Sequence, residues 1–240
     1  DAEVFVKINT GMNRLGFSTI GETASAVKNL RVLGVFTHLS SADGDDATDR
    51  RITEAQIKNF MEAELVVKNE KDVPFYAENS AALIKYGRFF DGARIGIALY
   101  GVNPVPGDKT PLLPVMTFRA AVIAINTVKK GDFIGYSRGY RAKKDMRVAI
   151  ISTGYADGLP RALSNKGMIF CNGQFLKIVG KVSMDSVAVD AGDADVKIMD
   201  EVVVFGDEIK VTDVANRANT LPYEILTGVS ERVKRVYKKP

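Results

Sequence analysis

Residues 103–114, NPVPGDKTPLLP, hold four of the chain's eight prolines. Proline lacks a backbone N–H and fixes φ, so so dense a run sustains neither a helix nor a central strand. It predicts a Pro-rich linker over 104–114, and the sequence changes character across it.

Ahead of the linker, residues 1–103 alternate strand-like and helical runs. EVFVKIN reads as a buried strand, GETASAVKNL as a helix, RVLGVFTHL as a strand and TDRRITEAQIKNFMEAELVVKN as a long amphipathic helix. Its face is expected to carry Ile52, Ile57, Phe60, Met61, Leu65 and Val66. VPFYAEN and ARIGIAL read as third and fourth strands, with SAALIKYG a short helix between them. Repeated βα units imply a parallel sheet. Four such units make half of an eight-stranded barrel, which leaves its first and last strands with open edges.

Beyond the linker, residues 115–240 read as short strands: MTFRAAVIAIN, DMRVAIISTGY, MIFCN, QFLKIVGKV, SVAVD and DEVVVFG. Lys130-Gly131-Asp132, Asn172-Gly173 and Gly206-Asp207 supply turn chemistry between them. This half is expected to be a β-domain, with a helix or two between TDVANRAN and ILTGVSERV.

The chain's 240 residues suffice for two modest cores, and 46% hydrophobic with 26% charged residues is ordinary globular composition. Its apolar runs are far shorter than the roughly 20 residues of a membrane-spanning helix, so no membrane partner is expected. The opening DAEVFVKI has neither a basic leader nor a long apolar region, and reads as a strand entered in mid-protein. Cys171 is the single cysteine, which excludes an internal disulfide framework and a Cys-rich metal site and favours a cytoplasmic location. The net charge of +4 is dispersed over 33 basic and 29 acidic residues. Only Arg232 to Lys239 form a basic cluster; without interleaved aromatics it reads as a solvated terminal strand, and no nucleic-acid partner is expected.

Several strings could carry chemistry. KINTGMNRLGF places Arg14 in a glycine-flanked loop after a strand, where spacing alone makes it an exposed arginine in a strand-to-helix turn. His38, the sole histidine, ends RVLGVFTH at the strand-end rim where βα proteins place their sites; a lone histidine there is otherwise a satisfied core residue. ENSAAL sets Ser80 at a helix start, which suits an N-cap or an anion equally. ARIGIALYG supplies Arg94, Gly96 and Ile97, IGYSRGY supplies Tyr136, and GYADGLPR and KVSMDS supply Tyr155, Asp157, Arg161, Met184 and Asp185. DGDDATD lacks calcium-loop spacing and reads as a solvated loop.

In that order, these strings resemble the later half of a pyridoxal-phosphate-dependent alanine racemase. The resemblance implies the last four βα units of a (β/α)8 barrel followed by a C-terminal β-domain that completes the active site of the partner in a homodimer. It implies pyridoxal 5'-phosphate as cofactor, L- and D-alanine as substrates, and a role in supplying cell-wall peptidoglycan precursors. Arg14 would orient the cofactor's phenolic oxygen and the substrate carboxylate, and Lys7 aligns with a lysine that some members carbamylate to hold that arginine. His38 would lie close to the pyridine ring. Arg94 would face the ring nitrogen, which a guanidinium can hydrogen-bond but not protonate. Ser80, Gly96 and Ile97 would bind the phosphate.

Tyr136 matches the tyrosine that serves as one of two bases, Met184 the residue whose amide meets the substrate carboxylate, and the resemblance implies that Tyr155, Asp157, Arg161 and Asp185 line the entrance. The family's Schiff-base lysine sits in a Lys-Ala-Asn-Ala-Tyr-Gly string that does not occur here. The chain is therefore expected to lack the N-terminal half of the same protein and to be inactive alone. Three departures stand out: Asn9 where members often have Asp, Lys181 where many have Arg, and Glu231 where a phosphate-binding tyrosine is usual. A racemase of broader amino-acid specificity, a non-catalytic interaction module and a nucleic-acid-binding β-domain are the rival readings.

Overall fold

The computed structural model describes residues 2–238; Asp1 and, in the basic tail, Lys239 lie outside the described residues. The chain divides into two compact units, 1–113 and 114–240.

The first unit is built on a parallel sheet of β1 (Glu3–Lys7), β2 (Arg31–Phe36) and β3 (Phe75–Tyr76), in that order. Helices α1 (Ile20–Asn29) and α2 (Ala47–Glu70) connect the strands, and α3 (Ser80–Tyr86) follows. Thr19 and Glu22 form a reciprocal capping box that starts α1. Between sheet and helices lie Val6, Ile8, Val27, Val35, Phe60, Val67, Phe75 and Phe90. Phe60 packs on Phe75 and Phe90 with ring centres 5.2 and 4.9 Å apart.

Two expectations are corrected here. The buried stripe of α2 is Thr53, Gln56, Phe60, Ala63 and Val67, while Ile52, Met61, Leu65 and Val66 are exposed and Ile57 is partly buried. A rotation of about 100° per residue brings positions spaced by three and four to one face, and of the expected set only Phe60 lies fully on it. The fourth strand does not form. The chain passes β3 just ahead of ARIGIAL, at the single bridge Tyr76↔Gly92 and through Asp91 N to Phe75 O at 3.0 Å, and ARIGIAL itself adds Arg94 N to Glu78 O at 2.8 Å. It then tightens into a 3-10 turn, Ile97–Tyr100, closed by left-handed Gly101. The observed sheet thus has three strands rather than four.

The second unit is a closed antiparallel barrel. Its strands are β4 (Phe118–Val128), β7 (Met146–Ile151), β8 (Met168–Cys171), β9 (Gln174–Ile178), β10 (Val187–Asp190) and β11 (Glu201–Phe205), ordered β10-β7-β4-β11-β8-β9 and closed by β9 on β10. Closure removes open sheet edges. Inward Val122, Ile151, Ile169, Ile178, Val189 and Phe205 fill it. Asn172 and Gly173, at φ 45 and 81°, make the tight β8–β9 turn that an Asn-Gly pair favours. A small hairpin, β5 (Phe133–Ile134) with β6 (Tyr140–Arg141), stands apart from the barrel sheet. Helices α4 (Val211–Ala218) and α5 (Pro222–Gly228) complete the unit. Among the described residues beyond them no strand forms: Arg235 donates to the carbonyls of Ser230 and Val229, and Arg232 is paired with acids.

Candidate active site

In the first unit, the chain leaving β1 folds back on itself. The Asn9 side-chain carbonyl accepts from Gly11 N and Asn13 N at 3.2 and 2.9 Å, and its amide donates to Asn13 Oδ1 at 3.1 Å. Asn9 N donates to Phe17 O and Phe17 N to Lys7 O, both at 2.9 Å. Gly16 makes the return possible: its φ is +117°, and a Cβ there would lie 2.7 Å from Asn9 N. Arg14 is presented, exposed, on this loop.

Arg94 draws the neighbouring strand ends together. Its Nη2 donates to Thr37 O and, at 3.1 Å, to His38 Nδ1. A guanidinium has no acceptor, so Nδ1 is the bare ring nitrogen and the proton of neutral His38 sits on Nε2. The Phe36 ring lies 4.8 Å from the Arg94 guanidinium carbon and 5.8 Å from Lys7 Nζ. Burial, then Arg94, Arg14 and Lys7, hold His38 below the usual imidazole range. Burial, then Arg14 and Arg94, likewise lower Lys7. The positive charges of Arg94, Arg14 and Lys7 thus bear on His38, and those of the two arginines on Lys7, and a bound anion would offset them. Arg94 Nε is buried without a hydrogen-bond partner.

Ser80 is buried at the first turn of α3, where its Oγ accepts from Gly96 N and Ala98 N at 3.0 and 3.3 Å. The helix cap is Asn79 rather than Ser80. Asn79 is extended, at φ −90 and ψ −177°, and its side chain accepts from Ala82 N. The structure thus brings Ser80 to Gly96 and Ala98, the residues on either side of Ile97, sets His38 against Arg94, and brings Arg14 and Lys7 near enough to act on His38.

In the second unit, Tyr136 stands 71% exposed between β5 and β6, at the start of a turn whose Ser137 and Arg138 are left-handed at φ 54 and 53°. Asn165 braces that turn, donating to Gly139 O at 2.9 Å and accepting from Gly180 N at 2.7 Å, next to Lys181. Tyr155 N donates to Ser183 O and Ala156 N to Met184 O, both at 3.0 Å, and a Cβ on Gly154 would lie 2.2 Å from Met184 O. Asp157 Oδ2 accepts from Gly154 N at 2.8 Å, while Arg232 joins Asp157 at 2.9 Å to Asp185 at 2.7 Å. Tyr155, Asp157, Met184 and Asp185 are thereby one cluster. Arg161 begins a separate 3-10 turn, Arg161–Leu163, with an exposed side chain, and Glu231 is exposed beside Arg232.

Three residues that organise these loops escape a motif reading. Asn9 shapes the Arg14 loop, Arg232 sits within a tail read as solvated, and Gln56 lies in the buried stripe of α2. The signal for Gln56 was its place four residues before Phe60 on the core face, where a polar side chain needs partners.

A parallel βα sheet with a basic cluster at its strand ends, followed by a closed antiparallel barrel, defines a two-domain class with an anion-suited site in its first unit. Residues 1–104 match the family model described as alanine racemase, N-terminal domain, and residues 115–237 the one described as alanine racemase, C-terminal domain. The chain belongs to the alanine racemase family. It is 34% identical over 236 residues to the alanine racemase of Aquifex aeolicus, covering 98% of this chain and 66% of that protein. The alanine racemase of Streptomyces coelicolor superposes with a TM-score of 0.91 at 30% identity, over 98% of this chain and 66% of that one. That of Bartonella henselae, solved with covalently bound pyridoxal phosphate, gives 0.86 at 32% identity, over 98% and 66%. The chain thus spans about two thirds of its relatives' length, at 66% of the Aquifex protein, rather than the half expected.

Proposed function

We propose that this chain is the larger part of an alanine racemase, interconverting L- and D-alanine with pyridoxal 5'-phosphate. The observation that carries the reading is the Arg94 guanidinium held against Thr37 O and the His38 ring, with its Nε orphaned and the charges of Arg14 and Lys7 also bearing on His38, which fits an anionic aromatic ligand. When bound, pyridoxal phosphate supplies the electron-withdrawing ring that acidifies the substrate's α-C–H bond. Arg94 would meet the ring nitrogen and hold it without protonating it. His38 would lie close to the ring, its bare Nδ1 engaged by Arg94. Ser80, Gly96 and Ile97 would hold the phosphate, the Ser80 hydroxyl exchanging its present amide partners for it. Arg14 would orient the substrate carboxylate, assisted by the Met184 amide of a partner subunit.

Tyr136, exposed on its hairpin, would move the proton at the alanine α-carbon from one face. The opposite base would be the Schiff-base lysine of the remaining third, and this sheet would then belong to the last units of a (β/α)8 barrel. Tyr155, Asp157, Arg161 and Asp185 would line the entrance. Burial, then Arg14 and Arg94, lower Lys7 and so raise its neutral fraction; we infer that the neutral amine adds CO2, releasing a proton, to give a carbamate, detectable as a mass gain of one CO2. The reading makes the protein a cytoplasmic homodimer supplying peptidoglycan precursors.

The test compares this chain with the complete enzyme. The complete enzyme should form D-alanine from L-alanine, the chain alone should not, and Tyr136→Phe in the complete enzyme should lower the rate by at least about two orders of magnitude while cofactor absorbance persists. Racemisation by the chain alone, or an unimpaired Tyr136→Phe enzyme, would overturn it.

A further inference from the structure

We propose that Gln56, a residue of α2 outside the basic cluster, is the positioning residue that locks the Arg14 loop and the His38 segment into one arrangement. The consequence for catalysis depends on the racemase reading; the positioning itself is a property of this chain.

Gln56 is 2% exposed and all its polar capacity is directed at the two strand ends. Its Oε1 accepts from Ser40 N and Ser40 Oγ, both at 2.9 Å. Its Nε2 donates to His38 O at 3.1 Å and to Thr10 Oγ1 at 3.3 Å. The polarity of this network follows from its protons. The single hydroxyl proton of Thr37 goes to Ile8 O at 2.9 Å, so the 2.7 Å contact between Thr10 and Thr37 uses the proton of Thr10. Thr10 Oγ1 is then left as an acceptor, and only a donor at position 56 satisfies it together with His38 O.

An amide supplies donor and acceptor at once, which neither a carboxylate nor an apolar side chain does. Asn59, on the same helix, donates to Thr10 O at 3.2 Å, and the Gln56 Cγ would touch a Cβ on Gly11 at 3.4 Å, so the start of the Arg14 loop is fitted to this helix face. Arg94 holds Thr37 O and the His38 ring from the other side. Gln56 is thus the complement of Arg94: one fixes the His38 ring, the other its backbone.

His38 is the sole histidine, so its imidazole gives one unambiguous NMR signal in the 240-residue chain. The charges that face it are Arg94, Arg14 and Lys7. In Gln56→Met, His38 should swing from this cluster and titrate higher, toward the ordinary value of about 6.5. The Ser40 amide should exchange about tenfold faster relative to the interior amides of α2, as expected for one lost hydrogen bond. Thr10→Val keeps Gln56 but removes the hydroxyl relay, and should move His38 in the same direction by less. A general loss of stability would speed all first-unit amides alike without moving the His38 titration. If His38 titrates identically in both variants and the native chain, the proposal is overturned. Both readouts need neither cofactor nor substrate, so failure of the racemase reading, seen as no D-alanine from the complete enzyme, is a separate result.

Discussion

At the residue scale, burial and charge crowding act together on His38. Burial first, and then Arg94, which also restrains the ring, depress its proton affinity. Because the folded pKa lies below the unfolded value of about 6.5, the unfolded chain binds the proton first as pH falls. His38 therefore erodes stability progressively from that unfolded value down through its folded pKa, and has no such effect above it. Arg94→Met should raise the His38 titration midpoint and weaken that acid-side loss. Proton NMR of the single histidine and urea midpoints at two acidic pH values check both; an unmoved midpoint would remove Arg94 as a cause. His38 and Arg94 were visible in the sequence as motif residues. The Nδ1 contact between them was not, since 56 residues separate them.

Among elements, the strand-end loops are shaped by close backbone approach. Gly16 combines a positive φ with a Cβ position 2.7 Å from Asn9 N, so an alanine there meets backbone that cannot rotate away. Gly16→Ala should cost about 1–3 kcal/mol and release the Phe17–Lys7 hydrogen bond. Equilibrium unfolding and exchange of the Phe17 amide report it, and a native-like Phe17 amide would contradict the steric argument. The order of β1 to α3 and of the six barrel strands was legible because each run buries one face at its own period, whereas the β5–β6 hairpin was not. The outcome differed where periodicity has no authority: α2 turns Gln56 rather than Met61 to the core, and Arg94 lies in irregular backbone ahead of the 3-10 turn Ile97–Tyr100 rather than in a fourth strand.

For the whole molecule, the two units manage their sheet edges differently. The barrel closes on itself, whereas β1 pairs only with β2 and its Phe5 is exposed beside exposed Leu33 of the neighbouring strand. Open apolar edges invite pairing between chains, and the dimer proposed above adds a second drive. A stable interface buries roughly 1,600 Å², which the β1 edge and a dimer face would supply together. Sedimentation of this chain at micromolar concentration should show concentration-dependent association. A well-behaved monomer would mean that other segments cover β1. Among the described residues, no helix is long and apolar enough to cross a membrane.

What the sequence by itself determined is the order of βα units, the change to β structure after the prolines, and the motif strings that bear the family likeness, because these depend on neighbours within a few residues. Tertiary structure alone decided that Arg94 grips His38, that Gln56 fastens His38 to Thr10, and that Arg232 bridges Asp157 and Asp185. Those links join residues far apart in the chain, and the burial that makes their hydrogen bonds and charges consequential exists only once the strands and helices have packed.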